Sequence, residues 1–172
     1  MRNLVIWMLL LLAWPAAAEQ RPVDKFFFQP LLGDMQSELA PARAAGKKAI
    51  MVFFEMDDCP FCERMKTTIL NQSDVQDYYR KHFAIFTIDT QGDLPLTDFS
   101  GKQTREKDFA LTHRVRATPV IAFFDLDGKP ITRFTGATRD KQEFLLLGRY
   151  VAEGAYARQP FNVYKQAATP AP

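Results

Sequence analysis

Two cysteines, Cys59 and Cys62, stand with two residues between them in the stretch "EMDDCPFCERM", and they are the only cysteines of the chain. A pair at this spacing has three uses: half of a metal site, a small covalent staple, or a reversible redox couple. A structural zinc site needs four ligands, commonly two Cys pairs or a Cys pair with two His. This chain adds only two separated histidines, His82 and His113, so metal fits poorly unless a second subunit shares the site. As a staple, the bridge would close so small a loop that it removes little entropy from the unfolded chain. A redox couple is the best account of the spacing.

The neighbouring residues support that account. A helix is predicted to open at the pair, with Pro60 in its first turn, where a missing N–H costs nothing. A thiolate at Cys59 would face free backbone N–H groups and the positive end of the helix dipole. Both favour the charged sulfur and make Cys59 the attacking group. Cys62, nearly one turn deeper, is better shielded and suited to resolving a mixed disulfide. Asp57 and Asp58 oppose the dipole, and Phe61 offers apolar surface without charge or a strong donor. An intermediate or moderately reducing potential is therefore expected, not that of an extreme oxidant. Glu55, four residues before Cys59 at the end of a predicted strand, is the nearest group able to move protons. Its alternative is a strand-end carboxylate pointing at solvent.

These residues need a frame. The chain has 172 residues, 47% hydrophobic and 24% charged, which suits one domain with a substantial core. Its formal net charge of +2 gives no strong pull toward nucleic acid or an anionic membrane. There is no internal repeat, no Gly-x-Gly-x-x-Gly loop and no phosphate-cradling loop ending in Gly-Lys-Ser/Thr. The opening "MRNLVIWMLLLLAWPAAA" has one Arg, an apolar run and small residues at Ala16 and Ala18, the layout of a secretory signal cleaved after Ala18. The alternative is an uncleaved anchor, although the run is short of the roughly 20 residues that span a bilayer. In an exported compartment a disulfide persists unless something reduces it.

Beyond the leader, residues 19–46 read as an extension. Phe26–Phe28 are expected to dock on the core, and a helix is expected from about Gly33 with Met35, Leu39 and Ala42 on one face and Gly46 as its stop. "KAIMVFFE" and "FAIFTID" read as buried strands. Between them lie the helical "CERMKTTIL" and "SDVQDYYRKH", with Ser73 as the cap of the second. A polar segment, Thr90–Thr104, exceeds the usual connection of about 4–6 residues. It leaves a strand on the site's side, so it either shapes a substrate surface through Leu94, Leu96 and Phe99 or is a solvated excursion. The helical "REKDFALTHRV" follows. "TPVIAFFD" and "ITRFTG" then form a hairpin across an Asp-Gly turn, and an amphipathic helix and a tail close the chain. His82 ends a helix, where a donor suits the dipole, and His113, beside Arg114 and Arg116, reads as surface. Helices between the early strands imply parallel pairing, while the hairpin adds an antiparallel edge.

Taken together, the strand, Cys-Pro-Phe-Cys opening a helix, "RATPV" starting a later strand, and a closing hairpin and helix resemble the thioredoxin superfamily over Lys47–Tyr156. More narrowly, "MVFFEMDDCPFCERMK" behind a signal is similar to the periplasmic thioredoxins grouped with SoxW. Cys-Pro-aromatic-Cys is shared with glutaredoxins, but no glutathione-binding signature accompanies it. The resemblance implies an α/β thioredoxin fold, a central mixed sheet flanked by helices, with an N-terminal helical extension. It places the domain at 47–158, between the extension and a tail at 159–172.

The resemblance also implies a cis Thr118–Pro119 bond beside the cysteines, with Thr118, Pro119 and Phe61 contacting a bound partner. Two departures stand out: the family's buried acid falls at Phe53, and the Trp before its first Cys is Asp58. The implied activity is that of a periplasmic monomeric thiol–disulfide oxidoreductase acting through Cys59 and Cys62, with Glu55, read from its place in the sequence, as the third catalytic candidate. Its disulfide Cys59–Cys62 replaces any cofactor, its substrate is a protein or carrier-bound disulfide, and a membrane thiol donor recharges it. No nucleic acid is involved. The alternatives are the same chemistry run as an oxidase or isomerase, or a non-catalytic binding and assembly protein of this fold.

Overall fold

The computed structural model describes residues 19–168; the leader predicted at 1–18 and the end of the tail, 169–172, lie outside the described residues. Strand β1 (Ala49–Glu55) is the axis of the molecule, with every residue from Ala49 to Phe54 buried. Continuous apolar sequence is what a strand covered on both faces requires. The alternation of its side chains divides the interior in two. Ala49, Met51 and Phe53 face one core, and Ile50, Val52 and Phe54 face the other.

β1 pairs in parallel with β2 (Phe83–Asp89), as the helical connection between them requires. It pairs antiparallel with β5 (Val120–Phe124), which pairs antiparallel with β6 (Pro130–Thr135), giving the sheet order β2-β1-β5-β6. The first core is roofed by α3 (Pro60–Met65), α4 (Ser73–His82) and α6 (Lys141–Ala152). α3 runs into a π-helical turn at Lys66–Leu70. Where α6 crosses α4, Gly148 allows the close approach: a Cβ there would lie 3.0 Å from the rings of Tyr78 and Tyr79. The second core lies under α2 (Leu39–Ala44) and α5 (Glu106–Thr112).

The extension is built into the domain. After the short helix α1 (Val23–Phe26), Phe27 is fully buried, with ring centroids 5.8 Å from Tyr79 and 6.1 Å from Phe144. Phe28 follows it inward, 5.7 Å from Phe53. Next, Gln29 closes the outer edge of β2: its N–H donates to the Ile85 carbonyl and its side-chain oxygen accepts from the Ile85 N–H, both at 2.8 Å.

Several expectations are corrected. No helix begins at Gly33; α2 starts at Leu39, because the backbone of Gly33 and Met35 is bonded to Thr97. Ser73 is the first residue of α4 and not its cap, a place taken by Gln72 without a side-chain bond. The polar segment folds into a hairpin, β3 (Pro95–Thr97) and β4 (Gln103–Arg105), whose turn is organised by Asp98 Oδ1 accepting from Ser100 and Lys102. Leu96 is 1% exposed and the Phe99 ring lies 4.7 Å from that of Phe124, so both face inward and only Leu94 is left outside. His113 is half-buried, its ring meeting Phe109 and Phe124 edge-on. Within the tail, α7 (Phe161–Ala168) packs on α6, with Phe161 and Tyr164 against Tyr150.

Candidate active site

The end of β1 delivers the chain to the site. Past Glu55 and Met56, Asp58 takes a left-handed backbone conformation (φ 55°) that aspartate tolerates better than most residues. Cys59 then caps α3 with extended backbone and Pro60 sits in the first turn. The N–H of Cys62 donates to the Cys59 sulfur at 3.2 Å, so a helix N-terminal donor is aimed at that atom. The two cysteines form a disulfide. Both are nearly buried, at 8% and 2% exposure, whereas Phe61 between them stands 61% exposed.

The second half of the site comes from the loop before β5. The Thr118–Pro119 bond is cis, Pro119 is buried, and the Thr118 hydroxyl donates to the Cys59 sulfur at 3.2 Å. The Pro119 carbonyl is held by the N–H of Gly136 at 2.8 Å, which ties this loop to the end of β6.

Beside the disulfide opens a cleft of about 640 Å³, lined by both cysteines, by Glu55 and by Lys66. Glu55 is engaged on both oxygens. Oε1 accepts from the Thr87 hydroxyl at 2.6 Å, and Oε2 lies 2.5 Å from the Lys66 ammonium. With side chains only 17% and 26% exposed, this is a sheltered ion pair, not a carboxylate pointing at solvent.

A family model described as a thioredoxin-like domain matches residues 35–152, well over half of the chain. The chain belongs to the thioredoxin-like family. None of the curated proteins compared matches it. Among solved structures, a thioredoxin-fold protein from Helicobacter pylori is 19% identical, with a TM-score of 0.64, over 84% of this chain and 92% of that one. A thioredoxin from Thermus thermophilus is 26% identical, with a TM-score of 0.55, over 73% of this chain and 90% of that one. The DsbH oxidoreductase is 19% identical, with a TM-score of 0.57, over 77% of this chain and 90% of that one.

Measured against the thioredoxin-like pattern, the structure brings Cys59, Cys62, Phe61, Thr118 and Pro119 together, with Glu55 on the same cleft as the cysteines. The departures are equally visible. At the family's acidic position, Phe53 is fully buried against Phe28, and Asp58 is exposed. Reading the sequence missed Lys66 and Thr87. The available signal for Lys66 was its place four residues after Cys62, which puts it on the same helix face. Thr87 had no local signal, since the register of β1 on β2 is what brings it to Glu55.

Proposed function

We propose that this protein is an exported thiol–disulfide oxidoreductase that reduces protein or carrier-bound disulfides through Cys59 and Cys62. The observation that carries this reading is the Cys59 sulfur itself. It sits at a helix N-terminus, joined to Cys62, with the Cys62 N–H and the Thr118 hydroxyl both directed at it. Donors so placed stabilise a thiolate once the bridge is reduced. The family, and a fold shared with the DsbH oxidoreductase, support the same chemistry.

In this reading the Cys59 thiolate attacks a substrate disulfide and one substrate sulfur leaves as a thiolate, which solvent protonates. Cys62 then gives up its proton to Glu55 and attacks Cys59, so the second substrate sulfur departs as a thiolate that takes the proton back from Glu55, and the Cys59–Cys62 bridge re-forms. Exposed Phe61, with Thr118 and Pro119, contacts the partner chain. A membrane thiol donor returns the two electrons. Export rests on the leader sequence, and the narrower likeness to the SoxW group rests on the residues around the cysteines.

The test is a Cys62→Ser variant, which should accumulate mixed disulfides with substrate proteins that thiol reductant releases. A variant that captures nothing, beside a wild type that reduces no protein disulfide, would replace this reading with a non-catalytic binding role. The direction of electron flow follows from the reduction potential: about −270 mV marks a thioredoxin-like reductant and about −120 mV an oxidant.

A further inference from the structure

Beside the cleft lies a second opening, a groove of about 520 Å³ along the outer edge of β2. One wall is the extension at residues 28–33, and the other is residues 94–96 at the start of β3. Backbone bonds fix both walls. The Gln29 N–H donates to Ile85, the Thr97 N–H to the Gly33 carbonyl at 2.8 Å, and the Glu106 N–H to the Leu94 carbonyl at 3.2 Å. Leu32 and Leu94 line the groove, one from each wall. At 91% and 67% exposure they are the two most exposed large apolar side chains among the described residues.

The groove adjoins the cysteine cleft. Thr87 and Phe28 line the groove, while Glu55 and Lys66 line the cleft. The Thr87 hydroxyl donates to Glu55 at 2.6 Å, and the Lys66 ammonium lies 6.0 Å from the centre of the Phe28 ring, so the two openings share a wall. Along β2, Gln29 occupies both outward backbone groups of Ile85. The same groups of Thr87, two residues on, point the same way and have no partner among the described residues. An extended chain in the groove thus finds one donor and one acceptor.

Charge selects the occupant. The charged residues of the groove are Asp24 and Glu106, and those of the cleft are Glu55, Asp57, Asp58, Glu63 and Asp89 against Lys66, which Glu55 already holds. Arg105 and Lys107, on the far side of the hairpin, are held by Asp93. We propose that the groove takes an extended segment of the substrate protein, apolar over Leu32 and Leu94 and carrying lysine or arginine, as that chain continues past Glu55 from the attacked disulfide. The proposal rests on the oxidoreductase reading and names its substrate class. A second copy would bring the same carboxylates against this face, and like charges oppose that pairing.

The oxidised protein is titrated with cysteine-free peptides of about ten residues: leucine alternating with lysine, leucine with glutamate, and serine with lysine. At low salt the leucine–lysine peptide should bind about tenfold more tightly than either of the others, and should move the NMR signal of the Thr87 amide. Leu32→Ser combined with Leu94→Ser should cut its affinity about tenfold. Asp24→Lys should narrow the preference for lysine over glutamate. Equal affinities for the two leucine peptides, or an affinity that none of these substitutions alters, overturn the proposal. A solution dimer that the double serine variant dissolves also overturns it and gives the groove to a second copy. Disulfide exchange is read separately, using a leucine–lysine peptide with one cysteine held as a mixed disulfide, beside a small neutral disulfide. Peptide binding with no exchange of either compound removes the oxidoreductase reading and leaves the groove. Exchange of both at rates indifferent to peptide sequence removes the groove alone.

Discussion

Two donors converge on the Cys59 sulfur at the same distance, 3.2 Å, one from the helix backbone and one from Thr118. The backbone donor is fixed by the fold, but the hydroxyl can be removed on its own. Thr118→Val keeps the branched shape and deletes the donor. A hydrogen bond to a charged group is worth roughly 1.5–3 kcal/mol, and sulfur is the weaker kind of acceptor, so the lower end applies. The expected result is about tenfold slower alkylation of Cys59 in the reduced protein at neutral pH, with thermal stability changed by less than about 0.5 kcal/mol. Equal alkylation rates would show that the hydroxyl does not act on the thiolate. At this scale the sequence was most readable, because the type and spacing of Cys59, Cys62 and Thr118-Pro119 carry their chemistry with them. Lys66 was not, since a lysine on a helix looks like solvent-facing surface until its partner is placed.

Among the elements, the junction of α5 with the sheet carries a pH dependence. Burial depresses the pKa of His113; Asp98 opposes that shift and Arg133 adds to it. A folded value below the unfolded one means that protonation favours unfolding. The stability held by the neutral ring is complete above the ordinary histidine value. It is lost as pH falls below that value, until the folded ring also protonates. His113→Gln should flatten this part of the curve when urea unfolding is followed across mildly acidic pH. A slope identical to wild type would assign the loss to other groups.

The same region shows why some elements escaped the sequence. β3 and β4 have three residues each, too few to display a period, and Leu96 is the one residue of β3 that is fully inside. The long strands β1 and β2 announced themselves through unbroken apolar runs. The expected helix at Gly33 failed because β3 claims that segment's backbone, a tertiary event with no local trace.

Across the whole molecule, the residues ahead of the thioredoxin-like core are part of its stability. Phe27 is fully buried among Phe28, Tyr79 and Phe144, so its removal leaves a cavity between α4 and α6. Phe27→Ala should cost about 3–5 kcal/mol, a large part of the 5–15 kcal/mol that typically holds a domain. It should appear as a lower urea midpoint with an unchanged slope. A loss below about 1 kcal/mol would mean that the extension is only loosely attached.

The place where Gln29 meets Ile85 governs how the protein behaves in crowded company. A foreign strand approaching β2 finds the Ile85 backbone already occupied near the strand's middle, so continuous cross-chain pairing cannot run along that border. On the opposite border, β6 begins at Pro130, which has no N–H to offer, and carries Arg133, whose charge discourages a second copy from stacking. One border of the sheet is interrupted near its middle and the other carries a proline and a charge, both of which hinder continuous strand addition.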